Sequence, residues 1–436
     1  MVRRRFFLSL LLALSLLLSA LGSLRDITTP LGYWALWGVW ALAVVSATWP
    51  VFGVYWERTI PPTWVWGSFM ILVLGMGLSA AVNHSVLSLH HGVKIAVIGV
   101  CCCIAWRLAA GLCWRDRVFI LRWVLVSVVL VFLASKAAPY GYYIDLGSAG
   151  REGSFLAWPG VIWKVGAFFL PMFLADMLIR PRDWLANGLA IAACVFLVMI
   201  DGTRTGILVL GMTVLAFGGI LAWRRDWSAL AMARPAIVTF VPALCGLLLL
   251  SAGVGYLSHG SGAGLSTSRL AGAGGVYMGK AGALVETAAR PITTTRLGDG
   301  DPERLKLLEN GAERAVGCLP MGCGFGSTFI DPGYGVSMPV HNAYLGALAD
   351  FGVLGFVGML GFIVAAMVAI RRVLRDQVVG AEDVYFVLAS AGAALAYLAS
   401  LLLHTFSSEM SEWGYLILML AFAWLPGEAC KVSVSP

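Results

Sequence analysis

The chain has 436 residues, of which 60% are hydrophobic and 12% charged, and a mean hydropathy of +0.86. That composition excludes a water-soluble domain and describes a polytopic membrane protein. The formal charge of +7 does not point to nucleic acid, because Arg and Lys fall in small clusters at the ends of apolar runs, as they do where membrane proteins mark their cytoplasmic side.

Arg3, Arg4 and Arg5 precede an apolar run to Gly22, a pattern shared by cleaved signal peptides and first membrane helices; an uncleaved helix is expected. Hydropathy then gives about twelve spans, at 6–23, 31–55, 63–82, 92–112, 118–138, 158–179, 184–200, 206–223, 236–257, 351–370, 383–404 and 412–426. The expected fold class is an all-α polytopic membrane protein. Arg107, Arg115 and Arg117, Arg180 and Arg182, Arg224, Arg225 and Arg234, and Arg371, Arg372 and Arg375 fall on the same parity as the basic start. That side reads as cytoplasmic, with both termini, and the other as periplasmic.

Most periplasmic connections are short, but 258–340 is not, and long loops are usually functional or disordered. It is glycine-rich to Gly282, then shows helical periodicity from Ala281 to Arg290 and from Pro302 to Val316, which reads as a folded element over the membrane. The chain thus divides into 1–257 (spans), 258–340 (periplasmic loop with amphipathic helices) and 341–436 (a motif-bearing helix and the last spans). Cys101, Cys102, Cys103, Cys194 and Cys245 lie in apolar spans as small hydrophobes, whereas Cys318 and Cys323 share a loop in an oxidising compartment, where a disulfide competes with a reduced pair.

The stretch with most chemistry is Pro339-Val340-His341-Asn342-Ala343-Tyr344-Leu345, running through Leu348, Asp350, Gly352 and Gly355 into an apolar span. Proline blocks a helix from upstream, Asn342 is an N-cap, and apolar residues recur at helical spacing to Arg371. Glycines 352, 355, 358 and 361 form a close-packing stripe. His341 therefore sits at a helix start, where the positive end of the macrodipole favours the neutral imidazole; an interfacial histidine bonded to a loop is the plain alternative.

Upstream lie an arginine-led helix from Arg304 and the turn Pro320-Met321-Gly322-Cys323-Gly324-Phe325-Gly326; in Asp201-Gly202-Thr203-Arg204-Thr205-Gly206, residues 201–205 form a five-residue turn between spans. The order resembles the O-antigen ligase and polymerase superfamily, with its P-x-x-G-x-G turn, its H-N-x-x-L-x-x-L-x-x-x-G-x-x-G motif, matched from His341 to Gly355, and an S-x-S-R turn near Arg204 whose flanking serines are here Gly and Thr. The resemblance covers roughly the C-terminal half. It implies a GT-C-like architecture and transfer of a glycan from undecaprenyl diphosphate to a sugar of the lipid A core, at the periplasmic face of the bacterial inner membrane. It needs no cofactor, and its partners are the lipid-linked donor, the lipid A acceptor and membrane lipids.

On that reading His341 is the general base, and Arg204 and Arg304 neutralise the leaving diphosphate, Arg presenting planar donors matched to phosphate. Arg304 precedes Leu308, where the family usually has Trp, so Arg290 or Arg296 could take its role; Arg269, Lys94, Asn342 and Tyr344 are further substrate-binding candidates. Arg204 could equally pair with Asp201 or a lipid phosphate, and Lys94 could simply snorkel. The adjacent His90 and His91 lack a third ligand, and Asp299-Gly300-Asp301 precedes Pro302 and a helix, so an N-capping turn is preferred to a metal site. A polymerase on the same scaffold stays open, although no Arg in the periplasmic loops is followed by glycine in an R-x10-G pattern. An O-linked protein glycosyltransferase and a transporter or flippase are the other readings, the last disfavoured because the charges gather on one face.

Overall fold

The computed structural model describes residues 2–20, 31–32, 34–43, 61–137, 143–146, 151–154, 157, 159–224, 234–259, 302–331, 338–375 and 381–425. Its helices are α1 (Val2–Ala20), α2 (Thr63–Val82), α3 (Val86–Ala110), α4 (Trp114–Ala137), α5 (Ile162–Ile179), α6 (Trp184–Asp201), α7 (Arg204–Arg224), α8 (Arg234–His259), α9 (Pro302–Gly317), α10 (Ala343–Arg375), α11 (Ala381–Ser400) and α12 (Met410–Trp424). Among the described residues eight helices are long and apolar enough to cross a membrane, and Ser9–Ala20, Trp34–Ala43 and Thr205–Ala216 are shorter apolar helices. The chain is thus a helical membrane protein, since in lipid each helix satisfies its own backbone.

The core is built around α5, where nearly every residue from Ile162 to Leu178 is buried. Phe168 and Phe169 pack on Tyr415 of α12, and Phe168 also meets Tyr397 of α11, joining three helices through aromatic contact.

The arginine-rich ends of the helices are held by side-chain bonds. The fully buried Arg117 guanidinium donates to the carbonyls of Ala109 in the last turn of α3, of Leu112 just after it and of Leu425 after α12, at 2.6–3.1 Å, and lies over the rings of Trp114 and Phe422. Those carbonyls lie at the ends of two helices, so one cation caps both. Trp114 donates to Asp383 at 2.6 Å, bringing the start of α11 to the same end.

Three details differ from the sequence expectation. The 139–157 connection carries a two-stranded antiparallel hairpin, Tyr143–Leu146 with Arg151–Ser154, whose Glu152 meets the buried Lys136 of α4 at 3.2 Å. The expected five-residue turn at Arg204 is only Gly202 and Thr203, because Asp201 ends α6 and Arg204 begins α7; Gly202, with φ 66°, makes so tight a reversal accessible. Lastly, α10 is not one helix running from Asn342: Gly352, at φ 71° and ψ −162°, breaks it into a short segment and a long one.

The long segment of α10 packs closely on α2 along the glycine stripe. A Cβ added at Gly358 would lie 2.7 Å from the Leu72 nitrogen, and one at Gly75 would lie 2.6 Å from the Gly355 nitrogen. Small residues let two apolar helices approach backbone to backbone, the source of attraction between helices that lipid does not supply. Helix α9 is different in kind, with Leu307, Gly311, Ala315 and the following Cys318 buried on one face and Lys306, Glu309, Glu313 and Arg314 exposed on the other. Its apolar face seats on the start of α10, where a Cβ at Gly311 would strike Val340 and Leu345.

Candidate active site

The turn at 320–326 and the short first segment of α10 form one unit, centred on Asp350. Gly322, Gly324 and Gly326 have φ of 78°, 90° and 90°, and this left-handed backbone lets the main chain curl over the helix end. Cys323 and Gly324 donate their amides to the carbonyls of Ala349 and Asp350, and Val353 donates back to Pro320, at 2.8–3.0 Å. The Asp350 carboxylate, 4% exposed, then accepts from the amides of Gly326 and Ser327 and from the Ser327 hydroxyl, at 3.2, 3.1 and 2.7 Å. Successive amides aimed at one carboxylate make an anion-holding concavity, here filled by the protein's own side chain. Cys318 and Cys323 close the turn with a disulfide, the outcome in which the pair is oxidised.

Helix α2 and the start of α3 hold the turn from the other side. Ser79 donates to the Asp350 carbonyl at 2.6 Å, Asn83 donates to the Gly322 carbonyl at 2.9 Å, and the Phe325 amide donates to Ser88 at 2.6 Å. The Phe325 ring stacks on His91 with centroids 3.7 Å apart, and His91 Nδ1 lies 2.7 Å from Ser408 Oγ in the segment before α12. A second tie to that segment is Lys94, whose ammonium reaches Glu409 at 3.3 Å. Lys94 is thus paired with an acidic residue, its side chain 13% exposed.

His341 stands just ahead of this unit, half-buried, with Nδ1 3.2 Å from the Pro339 carbonyl. A carbonyl can only accept, so this contact holds the proton on Nδ1 and leaves the lone pair of the neutral ring on Nε2. Asn342 caps the helix, its side-chain oxygen accepting the Leu345 amide at 3.0 Å. Tyr344 is buried and gives its hydroxyl to the Leu398 carbonyl at 2.8 Å, a tie between α10 and α11. Among the described contacts, Asn342 and Tyr344 therefore fix the helix that carries His341.

Arg204 heads α7 and Arg304 lies in the first turn of α9. The buried Asp201 beside Arg204 accepts the amides of Gly160 and Trp163 at 2.8 and 3.2 Å and bonds the Thr203 hydroxyl, which pins the Gly202-Thr203 turn to the start of α5. Arg269, Arg290 and Arg296, the expected helix at 281–290, and Asp299 and Asp301 lie outside the described residues. Among the described residues no three His, Cys, Asp or Glu side chains are grouped to hold a metal.

Several residues of this face carry no mark of their role in the sequence. Asp350 was named only within the motif, and nothing local marks a carboxylate that will be roofed by a turn 24 residues upstream. Lys164 and Glu412 form a buried ion pair at 2.7 Å between the first turns of α5 and α12. An ionisable pair inside a membrane protein is by default a functional suspect. This pair sits at the helix ends beside the Ser408 and Glu409 segment rather than at mid-helix, which is where a transport site would be sought. Set against known proteins, the chain matches no family model and has no match among curated proteins.

Proposed function

We propose that this protein is a membrane glycosyltransferase of the O-antigen ligase class, with about twelve spans in a GT-C-like arrangement, working at the periplasmic face of a bacterial inner membrane. The observation that supports it best is the joining of two motifs distant in sequence, the P-x-x-G-x-G turn and the His341-Asn342 helix start, through Asp350. A turn that gives two amides to a buried carboxylate and two more to the carbonyls of Ala349 and Asp350 has a positioning task, and what it positions is the short helix that begins one residue after the cap behind His341.

In the reaction, Nε2 of His341 takes the proton of a sugar hydroxyl on the lipid A core. The hydroxyl oxygen attacks the anomeric carbon of the lipid-linked glycan from the face opposite the diphosphate, and the bond to the diphosphate oxygen breaks with its electron pair. The glycosidic bond forms with inversion, undecaprenyl diphosphate leaves, and the proton stays on the imidazole until water removes it. Arg204 and Arg304 carry the charge that develops on the diphosphate, so no metal is required. Asn342 and Tyr344 hold the base in place, while Lys94 steadies the segment around Glu409. Arg269, Arg290 and Arg296 are further contacts for the donor.

The test is transfer by purified protein from a lipid-linked glycan, with lipid A core, a growing lipid-linked glycan and a protein substrate offered separately. Transfer to the lipid A core is the expected result, and His341→Ala should reduce it roughly 100- to 10,000-fold while leaving the protein's abundance in the membrane unchanged. Half-normal activity of His341→Ala would remove the base from the mechanism, and transfer only to one of the other acceptors would reassign the enzyme.

A further inference from the structure

At the arginine-rich end, far from His341, a cavity of about 430 Å³ opens between the start of α4 and the α5–α6 connection. It is lined by Arg115, Asp116, Phe119, Arg122, Arg180 and Asp183, a volume and a mixture suited to a small polar ligand. The floor is a closed charge network. Asp176, with no exposed side-chain surface, pairs with Arg122 at 2.7 Å and with Arg180, and Arg122 also donates to Asn187 at 2.7 Å. Arg122 uses only Nη2 in those bonds.

The walls are not closed. Arg115 and Asp183 are exposed, and neither side chain has an ion-pair or hydrogen-bond partner among the described residues. Positive and negative groups therefore face one cavity, with Arg122 and Arg180 balanced by Asp176 beneath them and Arg115, Asp116 and Asp183 on its walls. A simple anion would be repelled by the two carboxylates, and a simple cation by the three guanidinium groups. A ligand carrying both charges a few bonds apart meets both walls. The outer surface beside the cavity is apolar: Phe119 and Trp123 on α4 are 56% and 57% exposed, and Trp184 and Leu185 on α6 are 38% and 52% exposed. Aromatic side chains at a helix end mark the level of lipid headgroups.

We propose that this cavity takes the headgroup of a zwitterionic aminophospholipid, its phosphate against Arg115 and the free edge of Arg122, its ammonium against Asp116 and Asp183, and its acyl chains along Phe119, Trp123 and Leu185. The primary amine matters because an ammonium donates hydrogen bonds to carboxylates, which a trimethylated amine of equal charge cannot do. The site is separate from the proposed glycan transfer and does not depend on it.

Native mass spectrometry of the full chain released from nanodiscs of phosphatidylethanolamine, phosphatidylcholine and phosphatidylglycerol in equal amounts reads the retained lipid. Retention of phosphatidylethanolamine at least about fivefold above the other two is expected, and equal retention of all three would overturn the proposal. Asp183→Lys, a change at an exposed side chain with no described partner, should move the preference to phosphatidylglycerol; an unchanged preference would also overturn it. Soluble glycerophosphoethanolamine, offered at the same concentration, separates a lipid from a free zwitterion. Failure of the soluble compound to bind supports the lipid, and its binding as tightly would overturn the membrane source.

Discussion

Replacing Asp350 by alanine tests whether the turn at 320–326 is held by one carboxylate. The change deletes the acceptor of two backbone amides, Gly326 and Ser327, and of the Ser327 hydroxyl, in a place where the side chain is 4% exposed. A hydroxyl can rotate toward another acceptor, but a buried amide left without one costs about 1–3 kcal/mol. The Ser327 amide also reaches the Gly324 carbonyl at 3.1 Å, so the Gly326 amide alone is left without an acceptor, and the cost is about 2 kcal/mol, the equivalent of about 30-fold in an opening equilibrium. The loss should be local. Cys323, Gly324 and Val353 dock the first half of the turn through main-chain bonds to Ala349, Asp350 and Pro320, and the Cys318–Cys323 disulfide stays. Hydrogen exchange in detergent should therefore accelerate about 30-fold over 325–328 and much less over 318–324. Asp350→Asn should fall between, because the amide oxygen still accepts while its NH2 group faces a donor. Exchange over 325–328 within about threefold of wild type in Asp350→Ala would refute the account of the turn.

Gly358→Leu should disrupt the contact of α10 with α2, since even a Cβ would come 2.7 Å from the Leu72 nitrogen; a loss of at least about 3 kcal/mol, seen as a lowered apparent melting temperature, is expected, and an unchanged one would mean the helices can part at no cost. Arg204→Lys should lower glycan transfer and Arg204→Ala lower it further, because a point charge does not reproduce bidentate contact with a diphosphate; equal rates for lysine and wild type would reduce the residue to a generic positive charge.

What could be read from the sequence was whatever depends on near neighbours or on composition. Apolar length marks the helices, the 3.6-residue period marks α9, and Asn342 behind a proline marks the cap that the structure contains. The spacing of Cys318 and Cys323 allowed the disulfide. The motif residues could be named, but not what joins them. Gly352 looks the same as Gly355, Gly358 and Gly361 in sequence; only the Pro320 carbonyl and the Gly322 amide packed against it distinguish the glycine that breaks the helix from those that pack it. The hairpin at 143–154 was likewise hidden, because short strands in a loop gain their stability from pairing and from Lys136 beneath Glu152. Tertiary structure alone decided that Asp350 is the hub and that His91 meets Ser408, 317 residues away. A buried polar group must find a partner wherever the fold brings one, and the sequence around it does not say where.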